Sequence, residues 1–278
     1  MQLIKWNKPA HDQPVILVER SGDAKLGTKR CDATYVSQQT CPGMSTKDAR
    51  PCEELCNGCY AEWLGMVPFV TRRLNSCRET DRVNIARAEA RLIDQLVSKY
   101  RKRGIMPRPL RLHVVGDTST NTAARILSRA VDRWQRLVDR SPGRRSRVWS
   151  YTHAWAQVLR RSFSFDVLAS LATVDTTTGT VRSARAVRAD LATARRNGWR
   201  YFAIIVDRHL TNKRYRDPVS GLVGIPCPAQ FENSPTRCAD CRICSDAVLH
   251  TANARAVFFA SDRHGKQAIP ITFTREAI

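Results

Sequence analysis

The chain has 278 residues, and 46 Lys and Arg against 25 Asp and Glu leave a formal charge of +21. With 42% apolar residues it is long and apolar enough for a sizeable core, which excludes a chain disordered as a whole. No apolar run approaches the roughly 18–20 residues of a membrane span, and the start MQLIKWNKPAHDQP lacks the apolar segment of a secretory signal, so a cytoplasmic protein is expected. Residues 1–32 read as a polar N-terminal extension, with turns at Ser21-Gly22 and Gly27. A strand is predicted over 33–37, running into Cys41-Pro42 and a cysteine-rich loop, 41–60. Val83, Ala86, Ala90, Ile93, Val97 and Tyr100 recur at helical steps and predict a helix over 81–103, closed by Arg101-Lys102-Arg103-Gly104. A buried strand over 110–115 ends at Gly116-Asp117, and a helix over 120–140 follows. A strand at 147–151, a short helix at 154–162, a strand at 167–173, a helix at 183–196 and a strand at 201–206 complete a core of 33–207. The remainder, 208–278, is a cysteine-cluster segment with a long loop over 208–245 and a last strand at 256–260.

Strands thus alternate with helices, and the strands are apolar nearly throughout, as strands covered on both faces are. The expected class is α/β with a parallel sheet of about six strands, a partial or full (βα) barrel. In such folds the loops after the strands carry the chemistry. Cys41, Gly116-Asp117, Tyr151-Thr152-His153, Thr173 with Asp175, and Asp207 all stand at predicted strand ends.

The cysteines carry the sharpest signal. Eight of the ten fall in two clusters, Cys41–Cys59 and Cys227–Cys244, whereas packing thiols would scatter. A reducing compartment argues against disulfides, and thiols two and three residues apart read as metal or iron–sulfur ligands. Cys52, Cys56 and Cys59 form C-x3-C-x2-C, a loop able to hold three irons of a [4Fe–4S] cluster and leave the fourth open. With Cys41 as a fourth ligand, the same loop reads as a closed zinc knuckle. Cys227, Cys238, Cys241 and Cys244 supply four thiols and fill a structural zinc site or a second iron–sulfur cluster.

The literal spacing of Cys52, Cys56 and Cys59 resembles that of the radical SAM enzymes. The resemblance implies S-adenosylmethionine on the open iron, with Gly116, Asp117 and Thr118 contacting that cofactor. Over most of the chain, from about 20 to 265, the order of motifs resembles the uncharacterised gene product 88-like family of phage and mobile-element proteins. The matching stretches are Ser21-Gly22 with Leu26-Gly27, Thr40-Cys41-Pro42, Gly58-Cys59-Tyr60-Ala61-Glu62, Leu112 to Asp117, Tyr151 to Trp155, Cys227-Pro228-Ala229-Gln230, and the 238–244 cysteines.

Several further residues are candidates. His113 lies in an apolar strand, either as a core histidine or facing a barrel interior. His153, Asp175 and Asp207 are placed to face a substrate, and Asp117 reads either as an acid–base group or as a helix N-cap. Lys99, Arg101, Lys102 and Arg103 form the densest basic patch, and Arg125, Arg129, Arg133 and Arg136 form a helical stripe able to follow a phosphate backbone. The expected function is a radical-SAM-like iron–sulfur enzyme that modifies a base of DNA or RNA. One alternative resembles the zinc-containing guanine transglycosylases, also barrels, with Asp117 and Asp207 as base and nucleophile. A second is a non-enzymatic zinc-knuckle protein that binds nucleic acid.

Overall fold

A strand with apolar groups on both sides is stable only where layers cover both of its faces. Strand β2 (Asp32–Val36), DATYV, is buried at every position and sits inside the sheet. The computed structural model describes residues 13–21, 30–42, 67–140, 147–174, 180–206, 213–231 and 234–260. Its sheet has nine strands: β1 (Val15–Val18), β2, β3 (Leu110–Arg111), β4 (Val148–Thr152), β5 (Asp166–Ala172), β6 (Phe202–Val206), β7 (Tyr215–Arg216), β8 (Val223–Pro226) and β9 (Ala256–Ala260). Their order is β1-β2-β3-β4-β5-β6-β9-β8-β7. The two edge strands, β1 and β7, pair antiparallel with their neighbours, and every other pairing is parallel. The sheet is therefore open, and the full barrel is not formed.

Each crossover from β2 to β6 leads to the next strand in space, so the connecting helices share one face. These are α2 (Arg82–Arg103), α3 (Asn121–Asp139) and α4 (Ala184–Arg196). Their apolar stripes pack on Leu110, Val148, Val167, Ala169, Phe202, Ile204 and Phe258, the alternate residues of the strands. The opposite face presents Ala33, Tyr35, Trp149, Leu168, Ala203, Val257 and Phe259. It is covered by α1 (Val67–Asn75), α5 (Asp246–Thr251) and the segment carrying Cys227, Cys238 and Cys244. Strands from both flanks of the expected core join its sheet, so 13–21 and 213–260 are integral to it. No helix among the described residues is long and apolar enough to cross a membrane.

Local chemistry sets the helix limits. Asp81 caps α2 by accepting from Val83 N and Asn84 N at 2.8 Å each, and Gly104 closes it at φ 62°. Thr120 and Ser183 cap α3 and α4 in the same way. Three expectations shift. The strand expected over 110–115 stops at Arg111, because His113 takes a positive φ of 53° that breaks the ladder. The helix expected over 154–162 is two 3-10 turns, Ala154–Ala156 and Arg160–Ser162. The loop expected over 208–245 contains β7 and β8.

Gly116 (φ 79°) is fixed by both conformation and space. A Cβ there would stand 2.2 Å from Val36 Cγ2 and 2.8 Å from Val36 O. Gly116→Ala is expected to cost about 2–4 kcal/mol, from the left-handed penalty plus overpacking. Gly104→Ala, with nothing within 4 Å of its Cβ, is expected to cost only about 1 kcal/mol. Urea midpoints at unchanged m-value check the difference, and equal costs refute the close approach.

Candidate functional site

Parallel strands point their carboxyl ends to one edge of the sheet, where open α/β sheets bind ligands. Here β2 delivers Cys41 to that edge through a 3-10 turn, Gln38–Thr40. The chain after β3 delivers Gly116, Asp117 and Thr118, and β4 delivers His153. Cys227 follows β8, which runs parallel to β9 and β6, so it reaches the same edge. Cys52, Cys56, Cys59, Asp175 and Asp207 lie outside the described residues.

Hydrogen bonds lock this edge. Asp117 is buried; its Oδ1 accepts from Thr118 N at 2.6 Å and its Oδ2 from His153 N at 2.7 Å. Its own N–H donates to Thr40 Oγ1 at 2.9 Å. One residue, through its carboxylate and its own N–H, thus ties together the chain after β2, β3 and β4. Each oxygen accepts one backbone N–H, which fixes the carboxylate between the two loops. His153 is partly exposed beside it. Burial of the ring pulls its pKa below the ordinary histidine value, and the Asp117 charge offsets part of that fall.

Beneath the edge lies a polar cluster that periodicity did not reveal. Glu89, mid-helix on α2 and buried, accepts from Thr34 Oγ1 at 2.6 Å and meets His113 Nε2 at 2.9 Å. His113 N donates to Thr34 Oγ1 at 3.1 Å, and Ser150 Oγ lies 3.3 Å from Nδ1. His113 therefore turns toward the helices, away from the face that a barrel interior would correspond to. It is a satisfied core histidine. The signal available in the sequence was Glu89 itself, a charged residue within the apolar stripe of α2.

The second cysteine segment lies across the sheet face opposite the helices. Cys227, Cys238 and Cys244 are buried there, and Tyr151 Oη sits 3.0 Å from Cys244 Sγ. Burial and then the charges of Cys244 and Cys238 drive the Tyr151 pKa well up. Cys241 is half-buried, and burial raises its pKa. As the side chains stand, no three His, Cys, Asp or Glu groups among the described residues are placed to hold one metal ion. No disulfide joins any two of the described cysteines. Cys31 is fully buried, and its thiol donates to Asp32 O and Pro109 O at 3.1 and 3.2 Å, which makes it a packing thiol.

The basic residues divide by position. A crossover helix runs back from the carboxyl edge to the amino edge of the sheet, so the start of each helix lies near the candidate site. Arg125 of α3 lies at that end and Arg129 at mid-helix, and both are exposed. Arg87 of α2 near the same end and Arg91 at mid-helix are exposed too and were not singled out in the sequence. Arg101, Lys102, Arg103 and Arg136 lie at the far end. Arg133 forks onto Asp94 at 2.6 and 2.7 Å, and Lys99 pairs with Glu19, so both are engaged within the chain. No protein-family model, curated protein or solved structure matches the chain.

Asp117→Asn removes the charge that holds the His153 pKa up, so the His153 pKa is expected to fall further. NMR titration of the His153 ring in the two proteins checks this, and an unchanged or raised midpoint refutes the coupling. In linkage terms, a depressed histidine pKa stabilises the fold above the unfolded value of about 6.5, and that contribution is lost as pH falls below it.

Proposed function

We propose that the protein is an iron–sulfur enzyme of radical SAM type acting on nucleic acid. The reading rests chiefly on one observation: the consecutive parallel strands β2, β3 and β4 end together, bringing the root of the first cysteine loop, the Gly116 turn and His153 to one edge. Crossover helices α2, α3 and α4 on one face of an open sheet wound consecutively from β2 to β6 are in keeping with a partial (βα) barrel. Cys41 and Pro42, which precede Cys52, Cys56 and Cys59 in the chain, stand at this edge.

In this reading Cys52, Cys56 and Cys59 hold the cluster, and Gly116 and Thr118 line the S-adenosylmethionine site. The bound group supplies one-electron cleavage of the sulfonium to a carbon radical. The chain's own residues do the rest. Asp117 holds the Thr118 and His153 backbones at a fixed spacing. His153, whose pKa burial lowers, stands at the edge as the group to exchange a proton with a substrate. Arg87, Arg91, Arg125 and Arg129 bind phosphates and guide the strand toward the edge.

Two measurements test it. After anaerobic purification, about four irons and four sulfides per cluster are expected, with loss of one cluster in Cys52→Ser, Cys56→Ser, Cys59→Ser. Zinc without sulfide overturns the iron–sulfur reading. In nucleic-acid binding, replacing Arg87, Arg91, Arg125 and Arg129 by Gln is expected to flatten the slope of log K against log salt by up to about 3–4, at about 0.9 per lost phosphate contact. Arg133→Gln is expected to leave the slope unchanged. Equal slopes for the two variants exclude this surface.

A further inference from the structure

Buried guanidinium groups are rare and are found paired with carboxylates. Two arginines depart from that pattern, the buried Arg111 and the half-buried Arg147. Arg111, at the end of β3, is over nine-tenths buried, and its guanidinium lies 4.4 Å from the Tyr151 ring centre. It donates only to neutral oxygens, Leu112 O at 2.6 Å and Ser150 Oγ at 3.3 Å. Arg147, just before β4, lies 4.4 Å from the Trp149 ring centre and donates through Nη2 to Cys238 O at 3.1 Å. Its Nε and Nη1 are buried with no hydrogen-bond partner. Neither arginine forms an ion pair with a carboxylate among the described residues.

Both cations therefore sit on the sheet face that carries Cys227, Cys238, Cys241 and Cys244, with no carboxylate paired to either among the described residues. A buried charge without a counter-charge is strongly unfavourable, so the site is built for a negative partner. Four thiolates around a divalent zinc, or around an oxidised four-iron cluster, carry about two net negative charges. We propose that Arg111 and Arg147 are the built-in counter-charges of a dianionic tetrathiolate metal centre formed by Cys227, Cys238, Cys241 and Cys244.

The surroundings suit this. Between the 3-10 turn Pro228–Gln230 and α5, the described residues form no strand and no α-helix, so closing the thiols around a metal breaks no sheet ladder. The segment is anchored at one end by Arg30, which pairs with Asp240 at 2.6 Å, and by the bond from Arg147 to Cys238 O. The Tyr151 hydroxyl at Cys244 Sγ provides a further hydrogen bond to a ligand sulfur. The proposal deepens the iron–sulfur reading by adding a second centre, separate from the one assigned to the first loop.

The test uses the full chain, purified anaerobically from medium containing iron and zinc. Metal and sulfide are counted in wild type, in Cys238→Ser with Cys241→Ser, and in Cys52→Ser with Cys56→Ser and Cys59→Ser. Loss of one zinc, or of one four-iron cluster, from the 238/241 variant is expected, and the element lost tells zinc from iron. Chelator-driven release is then timed in Arg147→Met and Arg147→Lys. Release roughly 10- to 100-fold faster in Arg147→Met, with near wild-type retention in Arg147→Lys, identifies a charge role. Full metal in the 238/241 variant, or equal release from both Arg147 variants and wild type, overturns the proposal. If only the first-loop variant loses metal, this inference falls and the proposed function stands. If only the 238/241 variant does, the reverse holds, and a metal-free wild type sinks both.

Discussion

Three strand ends meet at one residue, Asp117. Asp117 accepts from the backbone after β3 and from the backbone after β4, while its own N–H reaches Thr40 after β2. That arrangement is possible only because Gly116 lets the chain press against Val36, where any side chain would collide. The edge carrying Cys41, Thr118 and His153 takes its shape from this contact. Below it, Glu89, His113 and Thr34 join α2 to the sheet through groups that are buried but mutually satisfied. The polar seam fixes the depth of the helix against the strands, which apolar packing alone specifies loosely.

The large positive charge has two separate physical roles. Most of the arginines on α2, α3 and α4 point to solvent, where hydration supports them and a polyanion is attracted at long range. Arg111 and Arg147 instead lie against the Tyr151 and Trp149 rings on the other face of the sheet, Arg111 buried and Arg147 half-buried, where solvent screens a charge less than it does on the outer helices.

Much of the framework was legible along the chain. Strands at 33–37, 147–151, 167–173, 201–206 and 256–260 lie within a residue or so of β2, β4, β5, β6 and β9, because an apolar run between turn residues has few other stable forms. The helices α2, α3 and α4 were equally plain, since Asp81, Thr120 and Ser183 supply local caps and their apolar stripes have helical spacing. Less was legible where the ladder depends on partners. The strands β1, β7 and β8 are short, and pairing with distant segments stabilises them rather than their own pattern. The early end of β3 follows from the left-handed conformation of His113, which surrounding contacts impose.

Of the candidate residues, sequence position alone brought Gly116, Asp117 and His153 to strand ends, since alternation of strand and helix determines which loops share an edge. It also determined the clustering of thiols and the sign of the charge. What each group does was decided by tertiary contacts. Asp117 became a brace because two backbone N–H groups converge on it, His113 turned to Glu89 across 24 residues of chain, and Arg133 was claimed by Asp94. Local pattern is written in neighbouring residues, whereas burial and charge pairing depend on residues that only folding brings together.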